Sequence, residues 1–267
     1  MHSRGFAVTK TTVSVWIKLL GTNDGAASAD RGHAAIIMRT GGRCYLFDAG
    51  EPVSGALLKA GIGYEEIDRL FLSHLHADHV GGLPMLLQGL WLGGRRKVLP
   101  IHLPAEGMEL VDVMRRCMYL WDEVFRYRIE QYEIKGAVKD GGNVITPYPT
   151  THLRSFQVNY GEKYGQACQA FCFRVETAEG KSVVYSGDLG EPRDLAPALA
   201  KPTDVLITEC AHYPATVLFN YLKTQPIGHV IVTHFAPLEH RDAARELALK
   251  MMGEKVSFAE DEMEIAL

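Results

Sequence analysis

The chain has 267 residues, 47% of them hydrophobic and 22% charged, with a formal net charge of −4. That balance supplies one substantial core and excludes disordered and collagen-like classes. It also excludes a protein that holds a nucleic-acid backbone mainly by its overall field, which leaves room only for a local basic patch.

The opening residues, Met1-His2-Ser3-Arg4-Gly5, lack the unbroken apolar core of a signal peptide, and no stretch is long enough to span a bilayer. Neither export nor a membrane partner is expected. Strands are predicted at Val13 to Leu20, Ala34 to Met38, Cys44 to Asp48 and Leu70 to Ser73, separated by Gly-rich turns such as Gly41-Gly42. Helical patterns follow at Ser54 to Ala60, Leu83 to Leu92 and Ala105 to Tyr119, with a strand at Val98 to His102 between the last two. From Ile129 onward, strands are predicted near Tyr132 and at Val144 to Tyr148, Ala170 to Glu176, Ser182 to Ser186, Val205 to Thr208 and Val230 to Thr233. Helices are predicted at Pro192 to Ala200, Ala215 to Leu222 and Glu239 to Met252, the last a solvated outer helix. There is no internal repeat or Pro/Ser-rich linker, so residues 1–267 read as one α/β domain of two facing sheets with helices outside.

The five cysteines, Cys44, Cys117, Cys168, Cys172 and Cys210, form an odd set scattered over apparent strands and helices. They make a poor disulfide framework, and a reducing, cytoplasmic compartment is expected. Cys168 and Cys172 read as packing residues of the Ala170 to Glu176 strand region.

Residues 74–79 read His74-Leu75-His76-Ala77-Asp78-His79. Three imidazoles and a carboxylate within six positions are poorly suited to burial unless a divalent cation pairs them. The run sits on a strand-to-helix loop, between Leu70 to Ser73 and Gly81-Gly82-Leu83-Pro84. Strand alternation puts His74 and His76 on one side, and the turn can swing Asp78 and His79 to a second point, so one segment can serve two adjacent metals. Three further ligand-type residues follow apolar strands: His152 after Val144 to Pro149, Asp188 after Ser182 to Ser186, and His234 after Val230 to Thr233. By contrast His33, His102, His229 and His240 lie within or beside elements and read as structural.

Taken together, Leu19-Leu20-Gly21-Thr22, Tyr45-Leu46-Phe47-Asp48-Ala49-Gly50, the 74–79 cluster with Gly82-Leu83-Pro84, Ser186-Gly187-Asp188 and Thr233-His234-Phe235 resemble the ordered motifs of the metallo-β-lactamase superfamily. Within it the chain is most similar to the ribonuclease Z and phosphodiesterase branch. The resemblance implies an αββα sandwich, and a site in which His74, His76 and His152 hold one metal, Asp78, His79 and His234 the other, and Asp188 bridges. Asp48 matches the acidic residue that orients such a cluster from behind rather than binding metal; the plainer alternative is a turn-initiating Asp before Gly50. His76 stands where oxygen-reducing diiron relatives carry Glu, which favours hydrolysis. Two divalent ions are implied, zinc being the best match to an imidazole-rich site, with manganese and iron able to use the same ligands.

The expected chemistry is attack by a metal-bound hydroxide, with Asp78 both ligating and accepting the hydroxide's hydrogen. Glu209, in Thr208-Glu209-Cys210-Ala211-His212, falls where ribonuclease Z proteins carry the glutamate of a His-Glu-Ala-Thr motif, although Thr208 replaces the leading His. Glu209 and His212 are the candidates to protonate the leaving group, a cap on the following helix being the alternative. Ribonuclease Z proteins insert a tRNA-gripping arm between the third-motif histidine and the bridging aspartate; here that interval, 188 − 152 = 36, is too short for a normal one. It holds Asn159-Tyr160-Gly161-Glu162-Lys163-Tyr164-Gly165, read as an aromatic-bearing loop or hairpin tip near the cleft. Arg95-Arg96-Lys97 reads as a solvated turn that could meet phosphate.

The expectation is therefore a dinuclear hydrolase of a cyclic nucleotide, small phosphodiester or RNA end. Alternatives are a hydrolase of a carbonyl substrate (lactone, thioester or β-lactam) and a non-catalytic metal-dependent binding protein. The expected partner is a small-molecule or short nucleic-acid substrate. Homodimer formation, common in this superfamily, is a further expectation.

Overall fold

The computed structural model describes residues 15–235 and 238–267, with only the backbone described for 238–240. The expectations for Met1 to Gly5, for Val13 and Ser14, and for the His240 side chain lie outside the described residues.

Alternation decides the layers. In strand β1 (Val15–Gly21), Val15, Ile17 and Leu19 point to one face and Leu20 to the other. In β11 (Thr203–Glu209), Val205 and Ile207 oppose Leu206 in the same way. Both faces of these strands are apolar because both are covered. Seven strands form one sheet in the order β14-β1-β2-β3-β4-β5-β6, and seven the other in the order β13-β12-β11-β10-β9-β8-β7. The first sheet comprises β1, β2 (Ala35–Thr40), β3 (Arg43–Phe47), β4 (Arg69–Phe71), β5 (Leu99–Leu103), β6 (Ile129–Glu133) and β14 (Glu264–Ala266). The second comprises β7 (Val138–Asp140), β8 (Asn143–Pro149), β9 (Phe171–Glu176), β10 (Ser182–Tyr185), β11, β12 (Ile227–Thr233) and β13 (Val256–Phe258). Phe47, Phe71, Phe173 and Tyr185 fill the space between the sheets, with Phe47 stacked on Phe71 at 5.2 Å. Helices α1 (Val53–Lys59), α3 (Leu83–Leu92) and α4 (Gly107–Cys117) cover the first sheet; α7 (Ala215–Leu222) and α8 (Leu238–Met252) cover the second. This is the αββα sandwich.

The parallel runs β3-β4-β5-β6 and β10-β11-β12-β13 set the position of the site. The carboxyl ends of β3, β4, β10, β11 and β12 all open at one edge of the sandwich, the place where loops collect in sheets of this kind. The four-residue helix α2 (Ala77–Val80) lies there, within the histidine cluster.

Three expectations change. Residues 154–164 are helical rather than a hairpin tip: α5 (Arg154–Phe156), a π turn (Gln157–Gly161) and α6 (Glu162–Tyr164) run on continuously. The helix predicted at Pro192 to Ala200 is only a 3₁₀ turn, Pro192–Leu195, because the pyrrolidine of Pro197 removes an amide donor and disfavours α geometry before it. Arg95 is fully buried, not a solvated turn; its guanidinium donates to the carbonyls of Lys97 (2.8 Å), Ile67 (2.9 Å), Val98 (2.8 Å) and Tyr64, and so ties the end of α3 to β5. The five cysteines are free, and no helix among the described residues is long and apolar enough to cross a membrane.

His102 is structural, as expected. It stacks between Phe71 (4.6 Å) and Tyr132 (5.2 Å), and burial, aided by the nearby Arg69 guanidinium, pushes it down to about 4. The unfolded chain, titrating near 6.5, binds more protons than the folded one between those values, so this residue erodes stability as pH falls through that window. Replacing it with Phe keeps the stack and removes the titration. A His102→Phe variant should therefore lose about 2–3 kcal/mol less stability than the parent between pH 7 and pH 4.5, by urea unfolding at both values.

Candidate metal centre

The loop after β4 carries Ser73 and His74, and α2 carries Asp78 and His79. His152 follows β8, Asp188 follows β10, and His234 follows β12. These stretches meet at the open edge. His74, His76, His152 and Asp188 form one group and Asp78, His79, Asp188 and His234 another; in each, one nitrogen or carboxylate oxygen per residue lies within 4.8 Å of the others. All seven residues expected as ligands are thus brought together, in the two sets expected.

Asp188 faces both sets with different oxygens. Its Oδ2 lies 3.7 Å from His74 Nε2 and 3.6 Å from His152 Nε2; its Oδ1 lies 3.3 Å from His79 Nε2 and 3.5 Å from His234 Nε2. Asp78 Oδ2 completes the second set, 3.5 Å from His79 Nε2 and 3.6 Å from His234 Nε2. In the first set His76 Nδ1 lies 3.1 Å from both His74 Nε2 and His152 Nε2. Imidazole nitrogens bound at about 2.0–2.1 Å in a tetrahedral shell would stand roughly 3.3 Å apart, so the spacing is that of a coordination shell.

The electrostatics fit a cation. His79 Nε2 and Asp188 Oδ1 are buried without a hydrogen-bond partner, a cost that metal binding would relieve. Burial and neighbouring imidazoles hold His74 well below its ordinary value, and burial lowers His76 and takes His152 to about 4, so these rings stay neutral with lone pairs free. Burial also disfavours charge on His79, but the carboxylates of Asp188 and Asp48 more than reverse it; Asp188 in turn, though buried, is pulled down by His79 and His234. Both shifts express the pull of the Asp188 carboxylate for positive charge beside it.

Behind the cluster, fully buried Asp48 accepts from the Ser73 amide (2.7 Å), the Ser73 hydroxyl (2.8 Å), the Tyr185 hydroxyl (2.7 Å) and His79 Nδ1 (2.8 Å). Its carboxylate thus gathers donors from Ser73, Tyr185 and a ring of the cluster, more than a turn before Gly50 would need. Its hold on Nδ1 leaves His79 Nε2 facing the site. Asp48 and His234 both adopt left-handed backbone (φ 59° and 51°), a strained choice for non-glycine residues that the surrounding loops impose. Gly50 is obligatory here: a Cβ would sit 2.2 Å from the Asp78 carbonyl oxygen. Ser73 and Tyr185 have no sequence signal, since their partner Asp48 is 25 and 137 positions away. An Asp48→Asn variant should hold metal about 10- to 100-fold more weakly, measured by competition with a chromophoric chelator, because an amide must turn a donor toward other donors.

Glu209 and His212, the two proton-donor candidates, stand in different positions relative to the cleft. Glu209 is fully buried, and its carboxylate accepts from the amides of Leu189 (2.9 Å), Ala211 (2.7 Å) and His212 (3.2 Å) and from His212 Nδ1 (3.0 Å). It faces His212, not the cleft. His212 is partly exposed, and its Nε2 lies 3.8 Å from Asp188 Oδ2. Burial disfavours charge on His212, but the Glu209 hydrogen bond and the nearby carboxylates raise it above its usual value.

Elsewhere, His33 Nδ1 contacts the Asp24 carbonyl oxygen at 2.8 Å, and His229 contacts Ser257 Oγ at 2.9 Å; neither joins the cluster.

A sequence profile described as "Metallo-beta-lactamase superfamily" matches residues 29–211. The chain is 28% identical to the ribonuclease Z of Methanocaldococcus jannaschii over 270 residues, covering 90% of this chain and 80% of that protein. It is 30% identical to the ribonuclease Z of Methanothermobacter thermautotrophicus over 138 residues, covering 51% of this chain and 44%, less than half, of that protein. Among solved structures, the metallo-beta-lactamase fold protein YhfI of Bacillus subtilis superposes with a TM-score of 0.75 at 19% identity, covering 94% of this chain and 98% of that one.

Proposed function

The chain belongs to the metallo-beta-lactamase superfamily, and from that premise we propose that it is a dinuclear metal-dependent hydrolase of phosphodiesters, acting on a cyclic nucleotide, a small phosphodiester or an RNA end. The observation that carries this reading is the split of Asp188, one oxygen toward each three-residue set. His74, His76 and His152 would hold one divalent ion and Asp78, His79 and His234 the other, zinc matching the imidazole-rich donors best. Divalent ions there supply Lewis acidity toward phosphoryl oxygen and lower the pKa of water toward neutrality.

The chain's own residues do the rest. Asp188 fixes the separation of the two sets, and Asp78 turns one oxygen toward His79 and His234 and keeps a second free to accept a hydrogen. Asp48 and Ser73 keep the rings aimed. His212 Nε2, at the cleft beside Asp188, is placed to give a proton to a departing alkoxide when the ring is an imidazolium, while Glu209 accepts from Nδ1 and stabilises that doubly protonated, charged form. A leaving alkoxide needs such a donor, and the relatives named ribonuclease Z support a phosphodiester.

Protein reconstituted with zinc or manganese should turn over bis(p-nitrophenyl) phosphate, lose that activity on chelation, and leave simple lactones intact. Turnover of the lactones with none of the phosphodiester would overturn the proposal in favour of carbonyl chemistry.

A further inference from the structure

The eleven residues from Arg154 to Tyr164 begin two positions after His152 and stand out from the sandwich. Only Gly161 in that run is buried, whereas Phe156 is 50% exposed, Tyr160 52%, Val158 75% and Tyr164 62%. Four large apolar side chains grouped on one short helical arm are left largely in water, the kind of exposed patch that marks a binding surface. The arm is continuous with the metal centre: the Phe156 ring lies 5.9 Å from that of His76, edge to face, and the Tyr160 ring 6.4 Å from that of Phe156. The π turn between α5 and α6 is a rare conformation, frequent at functional sites.

We propose that Phe156 and Tyr160 form an aromatic platform on which the nucleobase of a nucleotide substrate stacks while its phosphate meets the His/Asp centre. This deepens the phosphodiesterase reading and rests on it. An aromatic face accepts any base, because every base has a π-face, so the platform selects nucleotides over other phosphodiesters without selecting sequence. The i, i+4 spacing of the two rings also allows a purely local role in holding the helix together, which an aliphatic side chain at either position would fill equally well.

The test compares binding of adenosine 5′-monophosphate and ribose 5-phosphate to the zinc-reconstituted protein by calorimetry, since the two probes differ only in the base. The parent should bind the nucleotide roughly 5- to 100-fold more tightly, the range for one base on an aromatic ring. Phe156→Ala, Phe156→Leu and Tyr160→Ala should each reduce that ratio with unchanged zinc content, and Phe156→Trp should retain it. Equal affinities in the parent, or no binding of either probe, overturns the platform, as does a preference that survives in the alanine or leucine variants. Because no turnover is read, failure here leaves the bis(p-nitrophenyl) phosphate result to decide the phosphodiesterase reading separately.

Discussion

An Asp188→Ala variant should lose metal from both sets at once, falling from two ions per chain toward none by mass spectrometry of the desalted protein. Its phosphodiesterase activity should drop by about 10³-fold or more, since two cations supply several kcal/mol of barrier reduction. The reason is local: each oxygen of this carboxylate faces a different set. His74→Ala should behave differently. It removes a nitrogen from the first set alone, so the second set, with Asp78, His79, Asp188 and His234 intact, should keep its ion. Full metal retention in Asp188→Ala would remove the basis of the shared centre.

His212→Ala should cut turnover by about 10²- to 10⁴-fold on substrates whose leaving group is an alkoxide, the usual range for a positioned proton donor. On p-nitrophenyl esters, whose leaving group departs unprotonated, the loss should be small. That dependence on the leaving group separates proton donation from a packing role, which would weaken both substrate classes alike. Glu209→Gln should show the same pattern to a lesser degree, since the imidazole remains but loses its anionic partner at Nδ1. Equal losses on both substrate classes would assign His212 to substrate positioning instead.

The centre was legible because its signal is local. Three histidines and an aspartate within six positions need no tertiary reasoning to suggest metal, and the remaining candidate ligands each follow an apolar strand that opens at the same edge. The long strands were equally plain, as burial on both faces gives unbroken apolar runs such as Val205 to Ile207. Short edge strands such as β14 (Glu264–Ala266) carry too few residues and too much charge for any periodicity to show. The helical arm was hidden by its glycines. Gly161 reads as a turn but sits in helical backbone at φ −54°, in a gap where a Cβ would come within 2.9 Å of the Gln166 carbonyl oxygen; Gly165, at φ 65°, is the left-handed cap that ends the run. Burial of Arg95 has no mark in the sequence, because a buried guanidinium needs converging carbonyls, and those of Tyr64, Ile67, Lys97 and Val98 converge only in the folded chain. The partition between Glu209 and His212 likewise depended on which side chain the loop after β11 turns inward.

Anomalous diffraction at the zinc edge from crystals of the reconstituted protein tests the central claim most directly. Two peaks should appear about 3.5–4 Å apart, one among His74, His76 and His152 and one among Asp78, His79 and His234, with a different Asp188 oxygen directed at each. A single peak, or none at this edge in a protein that still hydrolyses phosphodiesters, would contradict it.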